Sequence, residues 1–326
     1  MKLSFFFFSD KPDDKWELCK QMGIRYAIAK LAPELTGKLP PWDFETLSSA
    51  KKKFAQHGFQ LIGFEGDQMD MNRIKLGLPG KEEDIDLYKQ MLINMGKLDI
   101  NLLCYNFMPT GWFRTSHTTE ERGGALVTSF DYNVAKKLPL TPYGIISART
   151  MWNNYQWFIE QIMPTAEESG VKMALHPDDP PVPELQGIAR IFINAVAIRR
   201  ALSLSNSPSH GLTFCQGTYL SMGENLSALI KEFGELKKIF FVHLRDIRGT
   251  ADSFHETFHD NGPTDFPALL KLYKEIGFKG AIRSDHVPSM FGENNNHPGY
   301  GMTGNLFGIG YIKGIMDTLK IESSSD

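Results

Sequence analysis

The sequence is short of cysteine, has no basic stretch and has no long apolar run, and each shortage excludes a class of protein. Three cysteines, Cys19, Cys104 and Cys215, in 326 residues cannot make a disulfide framework. They point to a reducing, cytoplasmic setting. Lysine plus arginine number 35 against 38 aspartate plus glutamate, a net charge of −3 with no basic cluster, so no nucleic-acid partner is expected. No apolar stretch approaches the length of a bilayer span, so no membrane partner is expected either. Met1–Phe8 is apolar but short. Asp10, Asp13 and Asp14 follow it without a small-residue cleavage site, so it reads as a buried first strand and not as a signal peptide. Linkers, low-complexity tracts and internal repeats are also missing.

What is present is a 42% hydrophobic chain with enough apolar residues for a large core. Short apolar runs recur at Leu3–Phe8, Tyr26–Lys30, Gln60–Phe64, Leu102–Phe107, Lys172–His176, Leu212–Cys215, Ile239–Leu244 and Gly280–Asp285. They lack polar alternation, as strands buried on both faces do. Helical patterns fall between them, clearest at Asp14–Gln21, Asp43–Gln56, Glu83–Leu98, Ala148–Glu168, Val182–Leu202, Leu226–Phe233 and Asp265–Ile276. Gly23, Gly58, Gly170, Gly234 and Gly277 follow helical runs, where a left-handed cap is wanted. This alternation predicts an α/β protein, a (β/α)₈ TIM barrel forming one catalytic domain over residues 1–326. A doubly wound open sheet is the alternative. Long βα-loop insertions are expected after strand four (Pro109–Ser147) and strand seven (Arg245–Asn261), on the face where barrels build their sites.

The last four strands each end on a metal-competent side chain: His176, Cys215, His243 and Asp285. One such residue at a strand end means little. Four on consecutive strands, at one level of a barrel, predict a single site. Two imidazoles, a thiolate and a carboxylate leave it neutral around a divalent ion. The set suits Mn²⁺, Fe²⁺ or Zn²⁺, with the thiolate alone favouring Zn²⁺. Cys104, inside strand four, and Cys19, in a helix, read as core.

Several stretches resemble the mannonate dehydratases of the xylose-isomerase-like barrels. They are Ile74–Pro79, Cys104–Pro109, Phe241–Arg245, Ser253–Thr257, Ile276–Phe278 and Pro298–Gly301. The resemblance spans nearly the whole chain. It implies a sugar-acid lyase of hexuronate degradation that dehydrates D-mannonate to 2-keto-3-deoxy-D-gluconate. It implies Mn²⁺ or Fe²⁺ on His176, Cys215, His243 and Asp285. It also implies catalysis by His286, directly after the aspartate, and by Tyr300 of the Pro-Gly-Tyr segment. The chain departs from the family at Phe5–Phe8, where an Arg-Trp pair is common. It departs again at Ser284, where proline is usual, and at Val287-Pro288, where Gly-Arg is frequent.

The chemistry of a 2,3-dihydroxy acid asks for the same parts. A base must take the C2 proton, the enediolate charge must be stabilised, and an acid must release the C3 hydroxyl as water. His286 and Tyr300 can fill the base and acid roles in either order. An anionic substrate needs cations. Arg245 is the first choice for a carboxylate clamp, because guanidinium meets carboxylate bidentately. Lys75, Arg114, Asn106 and His255 are further substrate-binding expectations, while Arg283 reads as salt-bridged. His255 and His259 would share one face if helical. The partner is then a small-molecule sugar acid; self-association into a homo-oligomer is left open. A metal-dependent sugar isomerase or epimerase on the same barrel would use the same enediolate chemistry without losing water. A non-catalytic sugar-acid-binding relative is the other alternative.

Overall fold

The structure is a computed structural model that describes residues 1–322; residues 323–326 of the expected domain lie outside it. Eight parallel strands close into a barrel: β1 (Lys2–Phe7), β2 (Tyr26–Ala29), β3 (Gln60–Glu65), β4 (Leu102–Tyr105), β5 (Lys172–Leu175), β6 (His210–Cys215), β7 (Ile239–Leu244) and β8 (Ala281–Ser284). Each pairs with its sequence neighbours, and β8 returns to β1 with Leu3 opposite Ile282. The TIM barrel is therefore observed and the open sheet is excluded. All eight expected strands occur, with ends shifted by one or two residues.

Eight helices follow the strands: α1 (Asp14–Gln21), α2 (Phe44–Gln56), α3 (Lys81–Lys97), α4 (Ala148–Glu168), α5 (Ala195–Ser203), α6 (Leu226–Glu235), α7 (Phe266–Glu275) and α8 (Met302–Thr318). Side-chain caps start most of them; Asp43, Ser147, Asn194, Asn225 and Asp265 each accept a backbone N–H of the first turn. The main core lies between the strands and these helices. Trp16 stacks on Phe54 at 4.4 Å, with Phe7 and Phe59 edge-on beside them. A smaller cluster of Ile28, Leu102, Cys104, Ala174, Phe241 and Ala281 fills the barrel interior. The interior is a packed floor, and the site sits above it.

Three sequence readings are corrected. Val182–Leu202 is not one helix: only Ala195–Ser203 is helical, and Glu184–Leu185 pairs with Ile188–Ala189 in a small hairpin. Pro180, Pro181 and Pro183 deny that stretch helical N–H donors, and Gly187 turns it with positive φ. Gly234 lies inside α6, and Lys237 takes the left-handed position instead. α8 was not read at all, because Gly304, Gly308, Gly310 and Gly314 break its apolar pattern.

The long segments after β4 and β7 build a cap together. Strands Ser116–Glu120, Leu126–Asp131, Ile247–Thr250 and Ser253–Glu256 form a four-stranded antiparallel sheet over the C-terminal mouth. His255 therefore lies on a strand, opposite Ser129 and Arg248, so the helical face shared with His259 does not form. Among the described residues, no helix is long and apolar enough to cross a membrane.

Candidate active site

Register brings the metal-competent side chains together. Cys215 of β6 pairs with His243 of β7, and His243 pairs with Arg283 of β8, so these three leave the barrel wall on one face. The two-residue period of a strand carries that face on to Asp285. The ligand atoms of His176, Cys215 and His243 lie within 4.8 Å of one another. Asp285 stands beside this triad, its Oδ2 3.5 Å from His243 Nδ1 and its Oδ1 2.9 Å from Arg283 Nη2. His176 Nδ1 lies 2.7 Å from the Pro177 carbonyl. A proton donated there leaves Nε2 with its lone pair for a cation.

The donor set fits a divalent metal. Both ring nitrogens of His243 are buried without a well-formed hydrogen bond among the described residues, a costly arrangement unless a cation completes it. Burial alone would raise the Cys215 thiol. Arg245 beside it, with His176 and His243, outweighs burial and holds it well below its ordinary value, toward the thiolate that metals bind. Burial likewise opposes ionisation of Asp285, but Arg283, His286 and His243 hold its carboxyl well below the usual range.

Two groups beside the triad were missed in the sequence. Glu65, at the end of β3, reaches His243 Nε2 at 3.4 Å and pairs with Arg283. Burial would raise its carboxyl, yet Arg283 and His243 bring it down to about 2. Cys104 is not merely core: it borders the cavity over the triad, and its Sγ accepts the Thr213 hydroxyl at 3.1 Å. Glu65, Cys104 and His243 form a second close group. Position at the end of an apolar strand is the signal that could have found Glu65.

His286 and Tyr300 meet above the triad. The Tyr300 hydroxyl lies 3.1 Å from His286 Nε2. A bridge from Val287 N–H to the Gly299 carbonyl, 2.8 Å, closes the intervening loop and sets this distance. His286 has φ of 37°, a left-handed conformation that a histidine adopts only when its surroundings impose it. Its Nδ1 faces Glu256 Oε1 at 3.1 Å and also the Arg245 guanidinium. The carboxylate asks Nδ1 to carry the proton and the guanidinium asks for its lone pair, so this contact decides what Nε2 offers to Tyr300. Burial pushes the Tyr300 phenol up, which keeps it protonated.

The expected carboxylate clamps are not free. Arg245 is fully buried and donates to Asp179 at 2.8 Å. Arg114, also buried, holds both oxygens of Asp179 at 2.7 and 2.9 Å and Glu256 at 2.8 Å. Lys75 is buried against Asp67 at 2.6 Å, Asn106 Oδ1 at 2.9 Å and the Met108 carbonyl. None of the three borders the cavity, and neither does His255, whereas Asn106 does. The cations expected to meet the substrate instead brace the wall of its site. Arg283 forms buried ion pairs, as its sequence reading holds.

The cavity has a volume of about 440 Å³ and is bordered by His176, His243, Asp285, His286 and Tyr300 among others. A cavity of about 500 Å³ at the opposite end of the barrel, around Lys2 and Lys172, lacks any such ligand set, so the chemistry belongs to the C-terminal mouth.

The family described as D-mannonate dehydratase (UxuA) matches residues 1–140 and 134–325. The chain belongs to this family. Mannonate dehydratase 2 of Halalkalibacterium halodurans is 33% identical, over 98% of this chain and 99% of its own length. Mannonate dehydratase of Streptococcus agalactiae serotype Ia is 34% identical, over 85% and 87%. The crystal structure of mannonate dehydratase from Streptococcus suis serotype2 superposes with a TM-score of 0.89 at 29% identity, over 98% of this chain and 95% of that one. D-psicose 3-epimerase from Clostridium cellulolyticum H10, at 12% identity and a TM-score of 0.61, shares the barrel fold. This mannonate dehydratase family member thus keeps the fold of its relatives along nearly its full length.

Proposed function

We propose that the chain is a hydro-lyase, a metal-dependent dehydratase that converts D-mannonate to 2-keto-3-deoxy-D-gluconate and water, as one barrel domain in a reducing cytoplasm. The observation that carries this reading is the His286–Tyr300 pair, 3.1 Å apart, in one cavity with His176 and His243, whose ring nitrogens lie close to the Cys215 sulfur in the wall behind them. An acid and a base next to side chains that can hold a divalent cation are what loss of water from a 2,3-dihydroxy acid needs. Family membership joins that geometry to the substrate.

His176, Cys215, His243 and Asp285 would hold the metal, Mn²⁺ or Fe²⁺, with Zn²⁺ also compatible with a thiolate ligand. When bound, it supplies a Lewis acid for the charge that develops on the substrate oxygens. His286 takes the C2 proton at Nε2, with Glu256 accepting from Nδ1–H. Tyr300, kept protonated by burial, gives its proton to the departing C3 hydroxyl. Arg114 and Arg245 hold Asp179 and Glu256 in place and so fix His286 from behind. Asn106, on the cavity border, is held by Lys75 and positions a substrate hydroxyl.

The test is product analysis. Protein loaded with Mn²⁺ and given D-mannonate should yield a keto-deoxy acid that reacts with thiobarbiturate after periodate. An epimer or ketose as the only product would replace this reading with the isomerase one.

A further inference from the structure

An anionic substrate needs a free positive charge, and Arg114, Arg245 and Lys75 are engaged by buried carboxylates or by Asp67. Of the described lysines and arginines, only Arg283 and Lys30 border the cavity. Arg283 is held by Glu65 and Asp285. Lys30 has no buried partner: its Nζ is 3.7 Å from Glu34, whose side chain is 65% exposed. Such a surface contact is weak and easily exchanged for a ligand.

Lys30 is also directed inward. Its N–H donates to the Phe7 carbonyl at 2.9 Å, so the ladder between β1 and β2 continues to it. Ile28 lies in the interior cluster, and two residues further the chain presents the same face. Lys30 thus emerges just above the packed floor, between Phe8 and Gly66. The acids near it at the end of β3 and just beyond are already paired, Glu65 with Arg283 and Asp67 with Lys75.

Its place in the ring decides which part of a substrate it meets. The metal triad is centred on β6, and β2 is four strands away in a ring of eight, across the mouth. A six-carbon acid reacting at C2 and C3 beside the triad sends its far end toward β2. We propose that Lys30 receives a second anionic group at that far end, so that the site takes hexarates in preference to hexonates. The inference rests on the dehydratase reading above. The reaction is unchanged: the C2–H and C3–OH bonds break, water leaves, and a 2-keto-3-deoxy diacid forms without any oxidant, its far carboxylate untouched. D-mannarate, D-mannonate with C6 oxidised to carboxylate, has the same configuration from either end and is the natural probe.

The experiment compares D-mannonate and D-mannarate with metal-loaded wild type, Lys30→Met and Lys30→Arg. A charge-assisted hydrogen bond predicts a KM for D-mannarate about 10–100-fold below that for D-mannonate in the wild type. Lys30→Met should erase that difference through KM with kcat little altered, and Lys30→Arg should retain most of it. Calorimetric binding of both acids, with and without Lys30→Met in the His286→Asn background, supplies a readout independent of turnover. Lys30→Gln repeats the test should Lys30→Met fail to fold. Equal KM and Kd values for the two acids in the presence of Lys30, or a preference that survives its removal, overturn the assignment. Turnover of neither acid, with a D-mannarate binding preference that still depends on Lys30, would uphold Lys30 and sink the dehydratase reading instead.

Discussion

At the scale of single residues, the proposed metal ligands and the proposed acid–base pair are different side chains, so the two assignments separate experimentally. Cys215→Ser exchanges a thiolate held in its ionised form for a hydroxyl that does not ionise. Metal affinity should fall by more than the roughly 10–100-fold that outer-shell partners contribute. Metal analysis after dialysis at limiting Mn²⁺ checks this, and full occupancy would remove Cys215 from the ligand set. His286→Asn and Tyr300→Phe should keep their metal and their fold while turnover drops about 10²–10⁴-fold. Metal loss in His286→Asn would make that residue a ligand; near-wild-type rates in both would end the acid–base assignment. The proposed ligands could be picked out because each closes an apolar strand, and a metal-competent side chain at a strand end is a local signal. The fate of the cations was not legible. Arg114 meets Asp179 across 65 residues and Arg283 meets Glu65 across 218, so only the closed ring reveals that they are already engaged. Lys30 stood at the end of a strand reading but drew no notice, because an exposed lysine ends many strands.

At the scale of elements, the apolar runs with glycine-closed helices between them showed all eight strands. Burial on both faces wrote the pattern directly into composition. The cap sheet escaped because its edge strand Ser116–Glu120 is polar and largely exposed, and the next strand, Leu126–Asp131, takes its second partner from a segment more than a hundred residues away. Charge helps to fasten that cap, beside the backbone bridge between Leu126 and Ser289. Arg114, on the approach to the cap, grips Asp179 of the segment after β5 and Glu256 of a cap strand. Asp179→Asn would leave two buried guanidiniums without their shared carboxylate. The expected loss is about 3–5 kcal/mol in urea unfolding, the size seen when one partner of a buried ion pair is removed. A loss below about 1 kcal/mol would show that water or repacking replaces the carboxylate and that the cap is held by other contacts.

At the scale of the whole molecule, acid should weaken the fold through two buried histidines. His210 and His259 are buried, and burial brings each down to about 4 from an ordinary value near 6.5. Above pH 6.5 both are neutral, folded or unfolded, and contribute nothing to pH dependence. Between about 6.5 and 4 the unfolded chain takes up protons that the folded chain refuses, so stability falls with pH. Below about 4 the loss levels off at roughly 3 kcal/mol per histidine. Urea midpoints at pH 7.5, 6 and 5 should decline in that order, and His210→Asn should shallow the slope; a flat profile contradicts both assignments. The ring itself has a further consequence. The proposed ligands, base and acid crowd the arc from β5 to β8 and the loop after it, whereas Lys30, Phe6 and Phe8 occupy the arc of β1 and β2. On those assignments reaction and diet are inherited on separate stretches of gene. A lineage could drift along the β1–β2 arc, trading one sugar acid for another, while the β5–β8 arc stays under constant selection for the same loss of water.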